Sequence, residues 1–511
     1  MKQKIIFLLL FLSVVQLSCT KLDEKLNGEI LLNASSGSAN TSALLTGIYN
    51  TMKGNFQDQG NLYALNEMTT DEYIAPTRGG DWDDNGAWRV LHAHAFDGDN
   101  DHIRDVFANL GGTTFAATDL LRFNPTPQQG AEARLLRAFA EYLTLDLFDQ
   151  VPHREPGESA VLPSKIKKGI EELTYIIGEL TAIIPNLPTG PVNRANKNAA
   201  KVLLMKCYLN KGVYANRAAP VFDAGDMAKV VSLADEVIAG GYSFSSNYFD
   251  NFAPNNDLIG KENIWTAENI GGVSSGGIRS HWHCTMHYNQ QPSGWNGFTT
   301  LSDFYNKFEA TDKRRGAAYQ YTSPNAPANP GSRINVGFLI GQQYNMTTDA
   351  PLKDRTGAPL AFTPEVKSVE TGVNLEVTGI RAYKYPIDFQ FDDNGNVDND
   401  YVYFRLGDVL LMKAEALLRS NNAAAGLVIV NDLRANRGAS PFASLTLDNM
   451  LDERGREMYL ETFRRQDMIR FGKFLLPIQE RAKASDPKYL LFPIPNGQVA
   501  ANPNMLQNPG Y

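Results

Sequence analysis

Phe404 to Gly438 reads FRLGDVLLMKAEALLRSNNAAAGLVIVNDLRANRG. Leu406, Val409, Leu410, Ala414 and Leu417 recur at steps of three and four and therefore share one helical face. After the Asn421-Asn422 break a second apolar series runs through Leu427, Val430 and Leu433. The pattern is a helix hairpin. Its small residues (Gly407, Ala414, Ala416, Ala423 to Gly426) allow close helix approach, and a pair of this kind buries its apolar face only by stacking on other pairs.

Upstream the same period returns. Leu44, Leu45, Ile48 and Tyr49 open one helix after Asn40, and another runs from about His102 to Phe123. Pro127 and Gln128 start a third, whose face carries Leu135, Leu136, Phe139, Tyr142, Leu143 and Leu147 and which stops before Val151-Pro152. Lys165 to Ile184 reads as a further amphipathic helix; Asn196 to Val213 pairs with Asp226 to Ala239 and ends at Gly240-Gly241. About four helical pairs are expected. The fold class is thus mostly α, with helical repeats over about 39–241 and 401–475.

Between them, over about 242–400, the chain is dense in Gly, Asn, Pro, Ser and Thr, with short apolar strings such as Asn263 to Ile270 and Val336 to Leu339. A loop-rich, short-strand insert of that length inside a folded protein is usually functional. Composition fits an ordinary globular protein: 43% hydrophobic, 10% aromatic, 20% charged. The net charge of -8 argues against nucleic acid as a partner. Three cysteines, Cys19, Cys207 and Cys284, do not make a disulfide framework.

Aromatic residues outside the helical faces gather in two stretches. RGGDWDDNGAW, Arg78 to Trp88, has Gly-Gly and Asn-Gly turns that leave Trp82 without a helical or strand period to bury it. HWHCTMHYNQQPSGWNGF, His281 to Phe298, carries Trp282, Tyr288 and Trp295. A sugar ring has C–H groups on its face and hydroxyls around its edge, so its site needs flat aromatic faces ringed by polar groups. Trp82, Trp282, Tyr288 and Trp295 are the candidate platform, and Arg78, Asp83, Asn85 and Asn296 its polar rim. Trp88 reads as a plug under a helix layer, and Trp265 as a buried strand residue. His281, His283 and His287 lack the HExxH or CxxC spacing of a zinc site, and the acidic stretches Asp97 to Asp101 and Asp392 to Asp400 lack the closing glutamate of an EF-hand. No metal or cofactor is expected. Asp452 to Glu457 and Arg464 to Arg470 alternate charges at helical spacing and read as structural salt bridges.

The hairpin, the following LDERGREMYLETFRRQDMIRFGKF (Leu451 to Phe474) and the ending LFPIPNGQVAANPNMLQNPGY (Leu491 to Tyr511) together resemble the C-terminal half of the SusD/RagB family. EARLLRAFAEYLTLDLFDQVP, Glu132 to Pro152, resembles that family's most recognisable helix, with Asp149-Gln150 where the family has a glycine pair. The resemblance implies tetratricopeptide-like helical pairs over residues 39–511 and a non-catalytic surface lipoprotein. Such a protein captures an oligosaccharide and hands it to a TonB-dependent, SusC-like transporter in the outer membrane.

The N-terminus fits that picture. Lys2 and Lys4 precede the apolar run Ile5 to Val15, too short to span a bilayer, and Ser18 precedes Cys19. Residues 1–18 look like a lipoprotein signal, with Cys19 the lipidated residue and the membrane reached through its acyl chains. Residues 19–38 are expected to be a flexible tether. Two other functions stay open on the sequence: a surface glycan hydrolase, since 56 acidic residues always supply a carboxyl pair on paper, and a peptide-binding or scaffold protein built on the repeats alone.

Overall fold

The computed structural model describes residues 40–511; the signal segment, Cys19 and the tether lie outside the described residues. Ten longer helices carry the architecture: α1 (Thr41–Gln57), α2 (Asp101–Leu121), α3 (Pro127–Phe148), α4 (Gly169–Ile183), α5 (Lys197–Ala215), α6 (Ala224–Ile238), α7 (Leu406–Arg419), α8 (Ala423–Asn436), α9 (Leu447–Met458) and α10 (Arg464–Arg470). From α1 to α8 each helix packs on the next. The chain leaves the stack after α6 and re-enters it with α7, which lies against α6, so the stack closes across the insert.

Local chemistry sets the helix ends. Thr126 caps α3 with a reciprocal capping box to Gln129, and Pro127 occupies its first turn. At its other end Asp149 takes a left-handed conformation with φ 62°, doing what a glycine does at this position. Asn422 caps α8 through Ala425 N, which explains the hairpin break. Gly426 lets α8 approach α7: a Cβ there would lie 2.8 Å from Ala414 O. One helix starts later than its periodicity predicts. Lys165–Lys168 is a strand paired antiparallel with Gln150–His153, and α4 begins only at Gly169. The KIKK run is more stable as the partner of an otherwise unpaired extended segment than as a helical turn carrying three lysines.

Six short strands matter below: β1 (Tyr73–Ile74), β2 (Thr77–Arg78), β3 (Asn263–Ala267), β4 (Thr299–Thr300), β5 (Val369–Glu370) and β6 (Tyr401–Arg405). β3 and β6 pair antiparallel and are buried throughout, so the insert is tied together near the points where it leaves and rejoins the stack. Trp265 of β3 packs against Phe139 of α3 and against Tyr403 and Phe404 of β6. Helical and loop-derived residues thus share one core, within a single compact unit from Thr41 to Tyr511.

A second, charged core lies beside the C-terminal helices. Arg314, Arg405 and Arg437 converge on Glu457, with N–O distances of 3.0, 2.6 and 2.7 Å. Glu453, Glu461, Glu262 and Asp312 complete the pairing, all within fully buried surroundings. Gly407 serves this network: a side chain there would meet the Arg405 guanidinium and sit 2.6 Å from Glu457 Oε1. Arg454 bridges Asp408 and Asp467, and Arg470 bridges Glu415 and Asp467.

Elsewhere burial goes uncompensated. Glu172 on α4 is wholly buried and neither carboxyl oxygen has a hydrogen-bond partner. Burial first, and then Glu141, push it up to about 8, with Lys167 and Arg137 opposing; burial likewise raises Glu141 to about 7. A carboxyl that holds its proton longer in the folded chain adds stability below its ordinary 4.5 and loses it as the pH rises toward 8. Glu172→Gln is therefore expected to unfold like the parent at pH 4.5 but to be more stable at pH 8 by on the order of 2–4 kcal/mol in urea titrations. Equal stability at both pH values would remove the ionisation penalty from the account.

Candidate functional site

The two aromatic stretches, far apart in sequence, meet in space. β2 runs parallel to β5, and Arg78 and Asp81 then exchange both backbone hydrogen bonds (3.1 and 3.0 Å) across the turn at Gly79-Gly80. This tight reversal leaves Trp82 partly buried at the edge of the core with φ 60°, a backbone state that costs an aromatic residue of order 1 kcal/mol or more and persists only when its surroundings enforce it. They do. Trp82 Nε1 donates to Trp295 O at 3.1 Å, and its ring stands edge-on to Phe298 and Trp88, centroids 4.9 and 5.7 Å away. Gly297 lies against the indole so closely that any Cβ there would collide with it.

Trp295 reaches its position from the other stretch. Its amide donates to His283 O at 2.6 Å, and its ring lies 5.4 Å from the His283 imidazole. With 39% of its surface exposed, it is the most open of the tryptophans named as candidates. Tyr288, half-buried, donates its hydroxyl to Asp81 Oδ2 at 2.9 Å. The Arg355 guanidinium lies 4.0 Å from the centre of the Tyr288 ring and pairs with Glu376, which also holds His287 at 2.8 Å. Loop contacts thus tie Trp82, Tyr288 and Trp295 together as a candidate aromatic shelf, with exposed Asp81 and Arg355 against Tyr288 and exposed Asn85 in the Trp82 loop.

Three expectations require correction. Trp282 has no exposed surface: it sits on a four-residue helix, Ser280–His283, and donates Nε1 to Asp392 Oδ1 at 2.9 Å. It is part of the core, because its hydrogen-bond partner lies more than a hundred residues onward and draws the indole inward. Arg78 is 5% exposed. Its Nη1 donates to Asn296 O and Gly297 O (2.8 and 2.5 Å), while Nε and Nη2 donate to Thr378 Oγ1 and O (3.2 and 2.9 Å). Burial brings its pKa down to about 10, so it stays charged at neutral pH, a clamp under the shelf and not part of its rim. Asn296, 2% exposed with φ 54°, gives its side-chain oxygen to Arg381 Nη2 at 2.8 Å. Asp83 is half-buried and ion-paired with Arg89, leaving only part of it on the rim.

The remaining readings find their places. Trp88 is 6% exposed and donates Nε1 to Asp84 at 2.6 Å. The histidines diverge: His281 stacks near Tyr63, His283 binds Asp392 and His287 binds Glu376. Arg355 escaped sequence reasoning, since nothing in the run DRTGAP ties it to a tyrosine in another loop.

The SusD family model matches residues 261–511. The starch-binding protein SusD of Bacteroides thetaiotaomicron is 26% identical, over 89% of this chain and 87% of its own. A SusD superfamily crystal structure from Parabacteroides distasonis superposes with a TM-score of 0.71 at 21% identity, covering 92% of this chain and 98% of that one. The chain belongs to the SusD/RagB family. Another SusD-like structure, of a laminarin-binding protein, matches with a TM-score of 0.66 at 20% identity, over 92% of this chain and 99% of its own. The α-helical stack with its loop-rich insert is therefore the SusD fold. Among the described residues, no helix is long and apolar enough to cross a membrane.

Proposed function

We propose that this protein is a cell-surface glycan-binding lipoprotein that captures an oligosaccharide on the Trp82–Tyr288–Trp295 shelf and delivers it to a SusC-like, TonB-dependent transporter. It would be anchored in the outer membrane through Cys19. The observation that carries the reading is the shelf: the exposed Trp295 ring beside a partly buried Trp82 held on a strained backbone by a hydrogen bond to the Trp295 carbonyl is costly to build for packing alone. Relatives that bind starch and laminarin support the ligand class. The role is binding without catalysis. Carboxyls beside the shelf are committed to Tyr288 (Asp81), Arg89 (Asp83), the Trp88 indole (Asp84) and Arg355 (Glu376), an arrangement that fixes loops.

The test is a glycan array on the chain from residue 20 onward, followed by titration of the best ligand. Trp295→Ala is expected to weaken binding by roughly 5- to 30-fold, the equivalent of about 1–2 kcal/mol for a lost stacking face, with little change in melting temperature. Trp282→Ala is expected to do the reverse, lowering stability by about 3–5 kcal/mol through a core cavity. Cleavage products from the bound glycan, or undiminished binding by Trp295→Ala, would defeat the reading.

A further inference from the structure

One cleft, of about 490 Å³, has none of the shelf residues in its lining. It lies in the insert between Tyr305, Arg315, Ile334, Ile340 and Tyr344, and its chemistry is unlike that of the rest of the protein. Most buried arginines here either bridge two carboxylates, as Arg437, Arg454 and Arg470 do, or are saturated by backbone carbonyls, as Arg78 is. Arg315 does neither. Half-buried on the cleft wall, it directs Nε to the Tyr305 hydroxyl at 2.9 Å and Nη2 to the same oxygen, and its guanidinium lies 4.6 Å from that ring's centre. No carboxylate pairs with it among the described residues. Asp312, the one carboxylate lining the cleft, spends both oxygens on Arg314, and the other lining guanidinium, Arg333, is held by Asp349 over the Tyr344 ring.

The cleft shares walls with a crevice beside the loop that follows Tyr288. Leu339, Tyr344 and Met346 line both the cleft and this narrow crevice of about 30 Å³, whose other walls include Asn289, Gln290 and Gln291. Those three residues directly follow Tyr288 of the shelf. Exposed Ile334 and Ile340 and half-buried Tyr344 give the cleft apolar surface, and Gln342 lines it with amide groups.

We infer that the Arg315 cleft is a second subsite for the same glycan, one that takes a carboxylate-bearing sugar, so that the preferred ligand is an acidic, uronate-containing chain long enough to reach both sites. This rests on the glycan-binding reading of the shelf and adds the ligand's charge and length. A carboxylate matches the guanidinium fork in shape and supplies the charge that the cleft lacks.

The experiment titrates uronate-containing oligosaccharides of galacturonan, alginate and glucuronoxylan, each beside its carboxyl-reduced neutral twin. At least one acidic chain is expected to bind about tenfold or more tightly than its twin. Arg315→Gln should abolish that ratio while leaving neutral binding within about twofold, and Arg315→Lys should keep part of it. Trp295→Ala should weaken both twins. The inference is overturned if every acidic chain and its twin bind the parent alike, or if Arg315→Gln leaves the ratio intact. A peptide carboxylate that binds in an Arg315-dependent way where no uronate does would overturn it too. In each of these cases the shelf reading survives on its Trp295 dependence. Failure of every glycan, neutral or acidic, would take both.

Discussion

Glu457→Ala is expected to leave little folded protein, and Glu457→Gln hardly more. The carboxylate sits in contact with three fully buried guanidiniums, Arg314, Arg405 and Arg437. Against the cost of burial, Arg437, Arg405 and Arg314 hold it ionised well below the usual glutamate range. Deleting one member of a buried ion pair costs about 3–5 kcal/mol, because the partner left behind is an uncompensated charge. Here three partners are affected, and the remaining acids, Glu453, Glu461, Glu262 and Asp312, are each already engaged. A loss of about 5 kcal/mol or more matches the whole stability of many domains. Soluble yield and thermal unfolding measure it; a Glu457→Gln protein melting within a few degrees of the parent would show that the network contributes packing and not charge balance.

The same network fixes the acid limb of stability. Glu453 and Glu415 are held down to about 2, their arginine partners overcoming burial. Groups depressed in the folded state contribute stability above their ordinary value and lose it as the pH falls through the folded one. Stability is therefore expected to drop between about pH 4.5 and 2, whereas Glu172 and Glu141 erode it in the opposite direction between about 4.5 and 8. The two sets leave a maximum on the mildly acidic side of neutrality, which the urea titrations on Glu172→Gln also map.

What could be read from the chain divides along physical lines. Helices α3, α5, α7 and α8 were legible because an amphipathic period is a local property, and the Asn-Asn break and the Pro127-Gln128 start signal sit where the ends are. Lys165–Lys168 was not, since its state depends on an extended partner segment a dozen residues upstream. The shelf was legible in outline: loops without a period expose their rings. Which ring stays out was not. Trp82 and Trp282 look alike in sequence, but one is held partly exposed by a strained backbone and the Trp295 carbonyl and the other is drawn fully inward by Asp392. Polar residues show the same limit. Composition puts Arg78 and Asn296 on the rim, yet hydrogen bonds tie both beneath it.

Arg78→Met is the sharper probe of the site because it removes the shelf's support without touching its surface. The guanidinium joins the loop after β2 to the Asn296-Gly297 backbone and to Thr378, and its loss strands the Asn296 and Gly297 carbonyls in a buried pocket, while Thr378 O keeps its bond from Arg381. Each unpaired group costs about 1–3 kcal/mol, so destabilisation of about 3–5 kcal/mol is expected. Much of it should be localised, because the hydrogen bonds of Arg78 go to loop residues and not to the helical stack. Trp82, whose φ of 60° is enforced by the Trp295 carbonyl, then loses its anchor, and glycan affinity is expected to fall at least as far as in Trp295→Ala. Arg78→Lys should not rescue it, since one ammonium cannot serve carbonyls on three sides. Hydrogen exchange separates this from general unfolding: amides of residues 79–88 and 295–298 should exchange faster while those of α3 and α5 keep their protection. If Arg78→Met binds glycan like the parent, the shelf does not depend on the coupling of its two loops, and the geometry of Trp82 has another cause.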